Sequence, residues 1–407
     1  MRKLFVLVLS MALLLSLTGV SVAAAEGFSG EIKIWVADNM VELTTAKVEE
    51  FKAANPEYAG LTALVEPVGE GTSATNMITD VEGGADIFGF AQDQLARLVA
   101  AGALIELSPE NAEIVAAEND GGSVAAVTLG ELMYAYPMTS DNGYFLYYDK
   151  SVVTDPSTLE GVLAQVEAAG KKFYMEINSG WYQTAFFFGT GATLTYDVDN
   201  DGNLVKANID YASDKGVAAL KAMIALNKSP AFVNGSQAAN ASNHAALVSG
   251  TWDAATVQAT FGENYAAAKL PTFTVDGQTY QMSGFGGFKM LGVKPQIDEA
   301  KLAACDALAL YLTSFDVQAA RFTEYGWGPS NLQAQQLDAV KADPALSALA
   351  AQLNFSFGQG QYPGDYWGTA TGLGDDVISG KLNDLTDAQL LERLQGFQDI
   401  CIGLVSK

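Results

Sequence analysis

Several tryptophans of this chain stand in loop-like sequence, beside glycine or small polar residues. An aromatic residue of a protein core is usually embedded in aliphatic residues at a spacing of two or 3.6. Aromatic faces offer apolar contact to the C–H faces of sugar rings, while Asp, Asn and Gln side chains hydrogen-bond sugar hydroxyls. Any one of these aromatics fits a structural role equally well, but together they predict a carbohydrate cleft. They are Trp181 with Tyr182, Trp252, Trp327, and Tyr366 with Trp367.

The sequence offers few groups for covalent or metal chemistry. His244 is the single histidine and has no nucleophile elbow beside it. One histidine and two distant cysteines do not build a typical zinc site, and no phosphate-binding glycine loop follows the first strand. Glycoside hydrolysis needs only two carboxylates and stays open, with Asp93, Asp141 and Asp365 as candidates. We favour helix capping and hydrogen bonding in a cleft as the roles of these aspartates.

One loop has the spacing of a calcium site. Three aspartates alternate just ahead of Gly202, as oxygen ligands do at the start of a calcium loop: Asp197, Asp199 and Asp201. The twelfth position is Asn208, where a bidentate glutamate is expected. Residues 195–196 and 204–205 have strand-like sequence on either side of the loop. We therefore favour an Asp-Gly hairpin turn, with the calcium loop as the alternative.

The first part of the chain has the rhythm of a doubly wound parallel α/β sheet. Strand-like runs at 31–36, 61–65 and 86–90 alternate with helix-like runs beginning near Thr44, Thr72 and Asp93. The rhythm restarts with a helix from Thr158 and a strand at 173–177. Two α/β units therefore follow one another, and folds of this kind bind ligands beyond the carboxyl ends of their strands.

The stretch 132–150 joins these two units. Strand-like runs at 132–136 and 144–148 flank a polar joint that contains Pro137 and Gly143. A β-hairpin is the simpler interpretation. We favour a strand that leaves one lobe, crosses a cleft and enters the other, which places Asp141 and Asn142 on the cleft wall.

Two further crossings are expected, one in the glycine-rich passage near Ser283 and one near Gln336. They divide the chain into an N-lobe of residues 26–138 and 282–336 and a C-lobe of residues 139–281 and 337–407.

The N-terminus predicts export. Arg2 and Lys3 precede an apolar run at 4–17 and a small-residue patch ending at Ala25, so residues 1–25 are expected to be a signal peptide cleaved before Glu26. Val20 stands where a lipoprotein box would carry cysteine. We therefore expect a periplasmic or extracellular, cell-surface protein without a lipid anchor.

The net charge of the chain excludes two classes of binding partner. The net charge of −25 argues against nucleic acid and anionic lipid, both of which bind clusters of Lys and Arg.

The two cysteines, Cys305 and Cys401, have apolar neighbours. We favour two buried free thiols, with a disulfide as the alternative.

Eight short motifs occur in order along nearly the whole chain after the predicted signal peptide. They are Ile32-Lys-Ile-Trp-Val36, Ala85-Asp-Ile-Phe88, Ala135-Tyr-Pro137, Leu146-Tyr-Tyr-Asp-Lys150, Gly250-Thr-Trp252, Leu270-Pro-Thr-Phe273, Tyr311-Leu-Thr-Ser314 and Tyr366–Trp367. In order and spacing they resemble the extracellular solute-binding proteins of sugar ABC transporters, most closely the maltose/maltooligosaccharide-binding group. The resemblance implies an α/β, two-lobed periplasmic-binding-protein fold, with doubly wound sheets joined by three hinge crossings. Such a protein closes on its sugar without chemistry.

The resemblance also implies the residues of the site. Asp38, Phe90 and Asp93 match the N-lobe wall, and Asp141 matches an acidic residue of the first crossing. Trp181, Trp252 and Trp367 match a stacking platform on the C-lobe. The full set of expected ligand-binding residues is Asp38, Asn39, Phe90, Asp93, Gln94, Asp141, Trp181, Tyr182, Trp252, Trp327, Tyr366 and Trp367.

This chain departs from the pattern of maltose binders at three positions. Asn39 and Gln94 replace a lysine and an arginine, and Ser179 stands where an acidic residue precedes the first stacking aromatic. The identity of the sugar is therefore open.

The predicted function is that of the carbohydrate-binding subunit of an ABC importer. It captures an oligosaccharide, with maltose or a maltooligosaccharide as the expected ligand, and delivers it to the transmembrane subunits of the permease. No cofactor, catalytic residue, nucleic-acid partner or direct membrane insertion is expected, and the protein should be a monomer. The alternatives are an exported glycoside hydrolase and a binder of another glycan or a metal ion.

Overall fold

The computed structural model describes residues 27–406. The predicted signal peptide and its cleavage site before Glu26 lie outside these residues. Within the described part of the chain, no helix combines the length and the apolar character needed to cross a bilayer.

The strands range from short bridging pairs to seven-residue strands. In chain order they are β1 (Gly30–Val36), β2 (Leu61–Pro67), β3 (Ile87–Ala91), β4 (Thr128–Leu129), β5 (Leu132–Met133), β6 (Tyr136–Thr139), β7 (Phe145–Asp149), β8 (Lys172–Tyr174), β9 (Leu194–Val198), β10 (Leu204–Ile209), β11 (Phe232–Val233), β12 (His244–Ser249), β13 (Tyr265–Ala268), β14 (Thr272–Val275), β15 (Gln278–Gln281), β16 (Phe285–Gly286), β17 (Lys289–Val293) and β18 (Phe357–Gly358).

The helices cover the faces of the sheets and form most of the last sixty residues. They are α1 (Val41–Ala54), α2 (Glu70–Thr79), α3 (Leu95–Ala100), α4 (Pro109–Glu118), α5 (Gly121–Ala126), α6 (Leu159–Ala168), α7 (Thr184–Phe187), α8 (Asp214–Asn227), α9 (Ala254–Phe261), α10 (Glu299–Leu312), α11 (Phe315–Tyr325), α12 (Asp338–Lys341), α13 (Pro344–Leu353), α14 (Gly364–Ile378) and α15 (Asp387–Gly403).

Two five-stranded sheets organise the protein. The first has the order β2-β1-β3-β17-β6 and the second β11-β8-β12-β7-β13. We call the part around the first sheet the N-lobe and the part around the second the C-lobe. Each sheet has its own buried core, and a second C-lobe core lies on the face covered by α13.

Both sheets are mixed, whereas the sequence predicted a parallel first sheet. Strands β2, β1 and β3 are parallel, as expected for strands joined by helices. Strands β17 and β6 then extend this sheet in antiparallel pairing. These two strands belong to the connections between the lobes and not to β-α-β units, which is why their direction is different.

The stretch 132–150 crosses between the lobes. Strand β6 lies in the first sheet and β7 in the second, so the hairpin interpretation is wrong. Leu132 and Met133 do not begin the crossing strand, because they pair with Thr128 and Leu129 in a separate small hairpin. The chain returns to the first sheet between β15 and β17, and β16 on this path pairs with β18.

The two cysteines are free thiols, each fully buried. Cys305 lies in the N-lobe core and Cys401 in a C-lobe core, so the alternative of a disulfide between them is wrong. Burial raises the pKa of each thiol to about 12.

The aspartate-rich loop forms the predicted hairpin, between β9 and β10. The Asp199 carboxylate accepts hydrogen bonds from the backbone N–H groups of Asp201 and Asn203 at 3.0 and 2.9 Å. Gly202 has a φ of +86°, a conformation that favours glycine. Across residues 27–406, no group of three or more His, Cys, Asp or Glu side chains is placed to hold a metal ion.

Candidate functional site

A cavity of about 550 Å³ lies between the two lobes. Aromatic rings and polar side chains line it from both sides. Four of the five tryptophans of the chain contribute, and these are Trp181, Trp252, Trp327 and Trp367. A cavity of this size is typical of small-molecule sites, which range over roughly 300–1,000 Å³.

The N-lobe wall is built from the ends of neighbouring strands. Asp38 and Asn39 follow the carboxyl end of β1, and Asp93 and Gln94 follow that of β3. Lys289 opens β17, which runs antiparallel to β3, so Lys289 pairs with Ala91 and reaches the same edge. The sheet therefore gathers these polar groups at one edge although they are far apart in the sequence.

The C-lobe wall carries most of the aromatic surface. Trp181 stands in the loop after β8, and Trp252 follows β12 in a short 3-10 turn. Their ring centroids are 5.8 Å apart, with the ring planes tilted by 48°. The Trp181 indole N–H donates to the Gln359 side-chain oxygen at 3.2 Å, which holds this ring against the segment after β18.

Three carboxylates of the cavity are held by neighbouring donors. Asp253 accepts from the Ser249 hydroxyl at 2.6 Å and from the Ala238 backbone N–H at 3.1 Å. Glu176 accepts from the Ser236 hydroxyl at 2.8 Å. The Gln94 side chain donates to Asp93.

Burial changes the proton affinity of two of these carboxylates. It raises the pKa of Asp93 to about 7, and it raises the pKa of Asp253 above its ordinary value. A neutral Asp93 is both a donor and an acceptor of hydrogen bonds, as sugar hydroxyls are.

Nine of the twelve expected ligand-binding residues line the cavity. They are Asp38, Asn39, Asp93, Gln94, Trp181, Tyr182, Trp252, Trp327 and Trp367. This places them where a ligand would meet them, and their contact with a sugar stays a prediction.

The structure corrects the placement of the other three. Phe90 is fully buried in the N-lobe core, with its ring 5.6 Å from that of Phe88. Tyr366 is 1% exposed and packs in a C-lobe core. Asp141 is also 1% exposed, and its carboxylate accepts from the Gly328 backbone N–H at 2.6 Å and from the Thr251 hydroxyl. It is thus a structural group of the crossings and not part of the cleft wall.

Several lining residues were missing from the expected set. They are Glu70, Gly71, Asn142, Glu176, Ser236, Gln237, Asp253, Lys289 and Gln359. Asn142 was expected on the cleft wall. Glu176 and Asp253 lie just beyond the ends of β8 and β12, and folds of this kind bind ligands beyond the carboxyl ends of their strands, so position alone could have indicated them. Ser179 does not line the cavity, and the carboxylate ahead of Trp181 is supplied by Glu176 instead.

The candidate pair for glycoside hydrolysis does not form. Of Asp93, Asp141 and Asp365, only Asp93 lines the cavity. Asp141 is buried among the crossings, and Asp365 is exposed in the first turn of α14.

The chain belongs to the bacterial extracellular solute-binding protein family, whose profile matches residues 46–348. This confirms the resemblance seen in the sequence. No match was found among curated protein sequences.

Solved structures of similar fold agree with this assignment. One structure with acarbose has a TM-score of 0.80 and 26% identity, over 92% of this chain and 99% of that one. The maltodextrin-binding protein MalE1 from L. casei BL23, without ligand, has a TM-score of 0.75 and 25% identity, over 94% of this chain and 100% of its own.

The maltose-maltodextrin-binding protein of Alicyclobacillus acidocaldarius has a TM-score of 0.72 and 17% identity, over 91% of this chain and 100% of that one. At this identity the likeness shows the fold alone. The predicted two-lobed fold is confirmed by these comparisons.

Proposed function

We propose that this chain is the carbohydrate-binding subunit of an ABC importer, and that it holds an oligosaccharide in the cavity between its lobes. The observation that carries the proposal is the gathering of four tryptophans and several carboxylates around one cavity. Stacking of rings and hydrogen bonds to hydroxyls together provide the affinity. A micromolar dissociation constant requires only about −8 kcal/mol.

We take an α-glucan fragment, maltose or a maltooligosaccharide, as the ligand. The names of similar structures, which describe maltodextrin binding and a complex with acarbose, support this class of sugar. In this chain the expected ligand contacts are the nine cavity residues predicted from the sequence, together with Glu176 and Gln359 on the C-lobe side.

The lobes close on the ligand by bending at the three crossings, near Ser140, Ser283 and Gln336. The proposed lobes are residues 26–138 with 282–336, and 139–281 with 337–407. Away from the crossings, Gln361 of the C-lobe is hydrogen-bonded to the N-lobe. Its side chain donates to the Gln92 carbonyl at 2.8 Å and accepts from the Ala96 N–H at 2.9 Å. Small-angle scattering should show a smaller radius of gyration with saturating sugar, and an unchanged radius would count against closure.

The bound sugar is delivered unchanged to the permease. The likeness to a family of binding proteins and the separation of Asp93, Asp141 and Asp365 support binding without hydrolysis. Incubation of the purified protein with maltotriose for several hours should release no new reducing ends. Their appearance would favour the glycosidase alternative.

We also propose that the exported protein begins near Glu26 and is a monomer without a lipid anchor. N-terminal sequencing and light scattering of the secreted protein test this. A lipid-modified start or a stable dimer would contradict it.

A glycan panel tests the proposed ligand. Thermal unfolding should be measured with maltose, maltotriose, maltotetraose, cellotriose and xylotriose, because a ligand that binds only the folded state raises the melting temperature. We expect the glucans with α-linkages to raise it most, and calorimetry should then give one site per chain. A larger effect of cellotriose or xylotriose would assign another glycan, and no effect from any sugar would contradict the proposed function.

A further inference from the structure

We propose that Lys289 is a further ligand-binding residue, whose ammonium group donates hydrogen bonds to hydroxyl oxygens of the bound sugar. The inference rests on the proposed function and deepens it, because it adds a cationic donor to a site described so far by rings and carboxylates. Lys289 is the one lysine or arginine among the residues that line the cavity.

The position of Lys289 buries the stem of its side chain. The residue opens β17, between β3 and β6, and pairs with Ala91 on one side and Thr139 on the other. It is 5% exposed, and it lines the cavity. A buried stem with a charged tip at a cavity is the arrangement by which a long lysine side chain reaches polar surroundings.

Two tryptophans surround the ammonium group. Its nitrogen lies 3.6 Å from the ring centroid of Trp327 and 4.9 Å from that of Trp252. Trp327 is itself 2% exposed in the N-lobe core, whereas Trp252 comes from the C-lobe wall. The ring faces stabilise the positive charge, but they accept none of its hydrogen bonds in the way that oxygen atoms do.

The ammonium group has three N–H donors and, among residues 27–406, no hydrogen-bond acceptor or ion-pair partner. The nitrogen faces the cavity and is not fully enclosed, so a ligand that shielded it from water without offering acceptors would incur the free-energy cost of burying unpaired donors. A ligand that fills the cavity supplies the missing oxygen atoms.

The charges around the cavity select the kind of oxygen. Five carboxyl groups line it, from Asp38, Glu70, Asp93, Glu176 and Asp253, against the single ammonium group, and an excess of negative charge remains when Asp93 is protonated. An anionic sugar would be repelled by this excess, so the acceptors for Lys289 are the hydroxyl oxygens of a neutral sugar. A sugar unit carrying a protonated amino group directly beside Lys289 is disfavoured by the like charge of the lysine.

Lys294 provides a matched control one residue beyond the other end of β17. It is buried as well, at 8% exposed, but its ammonium donates to the carbonyls of Glu82 and Gly84 at 3.0 and 3.2 Å. It also lies 3.7 Å from a carboxylate oxygen of Asp86. Lys294 therefore has the acceptors that Lys289 lacks.

The test compares Lys289→Met, Lys289→Arg and Lys294→Met by thermal unfolding and by calorimetry with maltotriose. Lys289→Met should bind maltotriose at least ten-fold more weakly, while the ligand-free protein melts at the same temperature or higher. Lys289→Arg, which keeps a cationic donor, should recover part of the affinity. Lys294→Met should melt at a lower temperature and keep the affinity of the wild type.

Two results would overturn the inference. Lys289→Met that keeps its affinity, with or without a lower melting temperature, gives Lys289 only a structural role. A loss of affinity that Lys289→Arg does not recover at all also contradicts it, because the hydrogen-bonding charge would then not be the property that matters.

A replacement variant and the wild type complete the test. If Lys289→Met does not fold, Lys289→Gln replaces it, and the same ten-fold loss is expected because the amide is a weaker donor. A wild-type protein that binds neither maltotriose nor any other sugar of the panel overturns the proposed function, and this inference with it. That result is distinct from a failure of Lys289 alone.

Discussion

The carboxylate of Asp141 accepts a hydrogen bond from the backbone N–H of Gly328 at 2.6 Å, and this joins the first crossing between the lobes to the segment that leads into the third. The Thr251 hydroxyl donates to the same oxygen. The contact requires glycine at 328, since a Cβ atom there would lie 2.9 Å from the Cβ of Asp141. Asp141 therefore connects two crossings and the loop that carries Trp252.

We predict that Asp141→Ala lowers the stability of the protein more than its affinity for sugar. The substitution leaves the Gly328 N–H and the Thr251 hydroxyl without an acceptor, and each buried unpaired donor costs about 1–3 kcal/mol. Chemical denaturation of Asp141→Ala and Asp141→Asn measures this, and Asn should lose less because it keeps a carbonyl acceptor. Normal stability combined with lost sugar binding would return Asp141 to the cleft wall.

Trp252 and Trp327 should respond differently to truncation. Trp252 is half-buried at the cavity, and a stacking contact contributes ~1–3 kcal/mol by analogy with bases on aromatic rings, so Trp252→Ala should weaken sugar binding about ten-fold or more. Trp327 packs in the N-lobe core, and Trp327→Ala should cost about 3–5 kcal/mol of stability. Melting temperature and calorimetric affinity, measured on both variants, separate the two effects. If Trp252→Ala lost stability and kept its affinity, our placement of the site would be wrong.

The stability of the protein should depend on pH through Asp93. Burial raises the pKa of Asp93 to about 7 in the folded protein, whereas an aspartate in an unfolded chain has a pKa of about 3.9. Between these values the folded state binds the proton and the unfolded state does not, so the stability that Asp93 contributes is present below about pH 4 and is lost as the pH rises through about 7.

Calorimetric melting of the wild type and of Asp93→Asn at several pH values from about 5 to 8 checks this expectation. The wild type should lose stability relative to Asp93→Asn as the pH rises over this range. The exposed Asp365→Asn serves as the control and should follow the wild type. Parallel curves for the wild type and Asp93→Asn would show that Asp93 is not buried in this way.

The thiols of Cys305 and Cys401 should react only after unfolding. Both are fully buried, and burial raises their pKa to about 12, so neither an accessible thiol nor a reactive thiolate is present in the native protein. A chromogenic disulfide reagent should titrate no thiol in the native protein and two in denaturant without reductant. No thiol in denaturant would indicate a disulfide and contradict the separation of the two cores.

Local sequence patterns were sufficient to predict many of the helices, strands and turns. The helix predicted from Thr158 begins there, because the Thr158 side chain caps α6 by accepting from the Gly161 backbone N–H. The hairpin around Gly202 followed from its turn chemistry. Tryptophans in loops indicated the cavity, although one of them, Trp327, both lines the cavity and packs in the N-lobe core.

Local patterns failed where the fold decides which side of an element is buried. Phe90 lies on the same face of β3 as Phe88, and both are fully buried. Ile87 on the opposite face is fully buried as well, so alternation along the strand could not separate the core from the cleft. Lys289 at the start of a strand is typical of a solvent-facing residue. Only the pairing of β17 with β3, far away in the sequence, brings Lys289 to the cavity.

Tryptophan fluorescence during a titration with maltotriose tests the central claim most directly. Four of the five tryptophans line the cavity, and the fifth, Trp35, lies in β1 with its indole N–H bonded to Glu66 at 2.8 Å. We predict a saturable change of the emission with a midpoint on the order of micromolar, equal in the wild type and Trp35→Phe and strongly reduced in Trp252→Phe. Emission that stays unchanged while calorimetry shows the sugar binding would place the ligand elsewhere and contradict our account of the site.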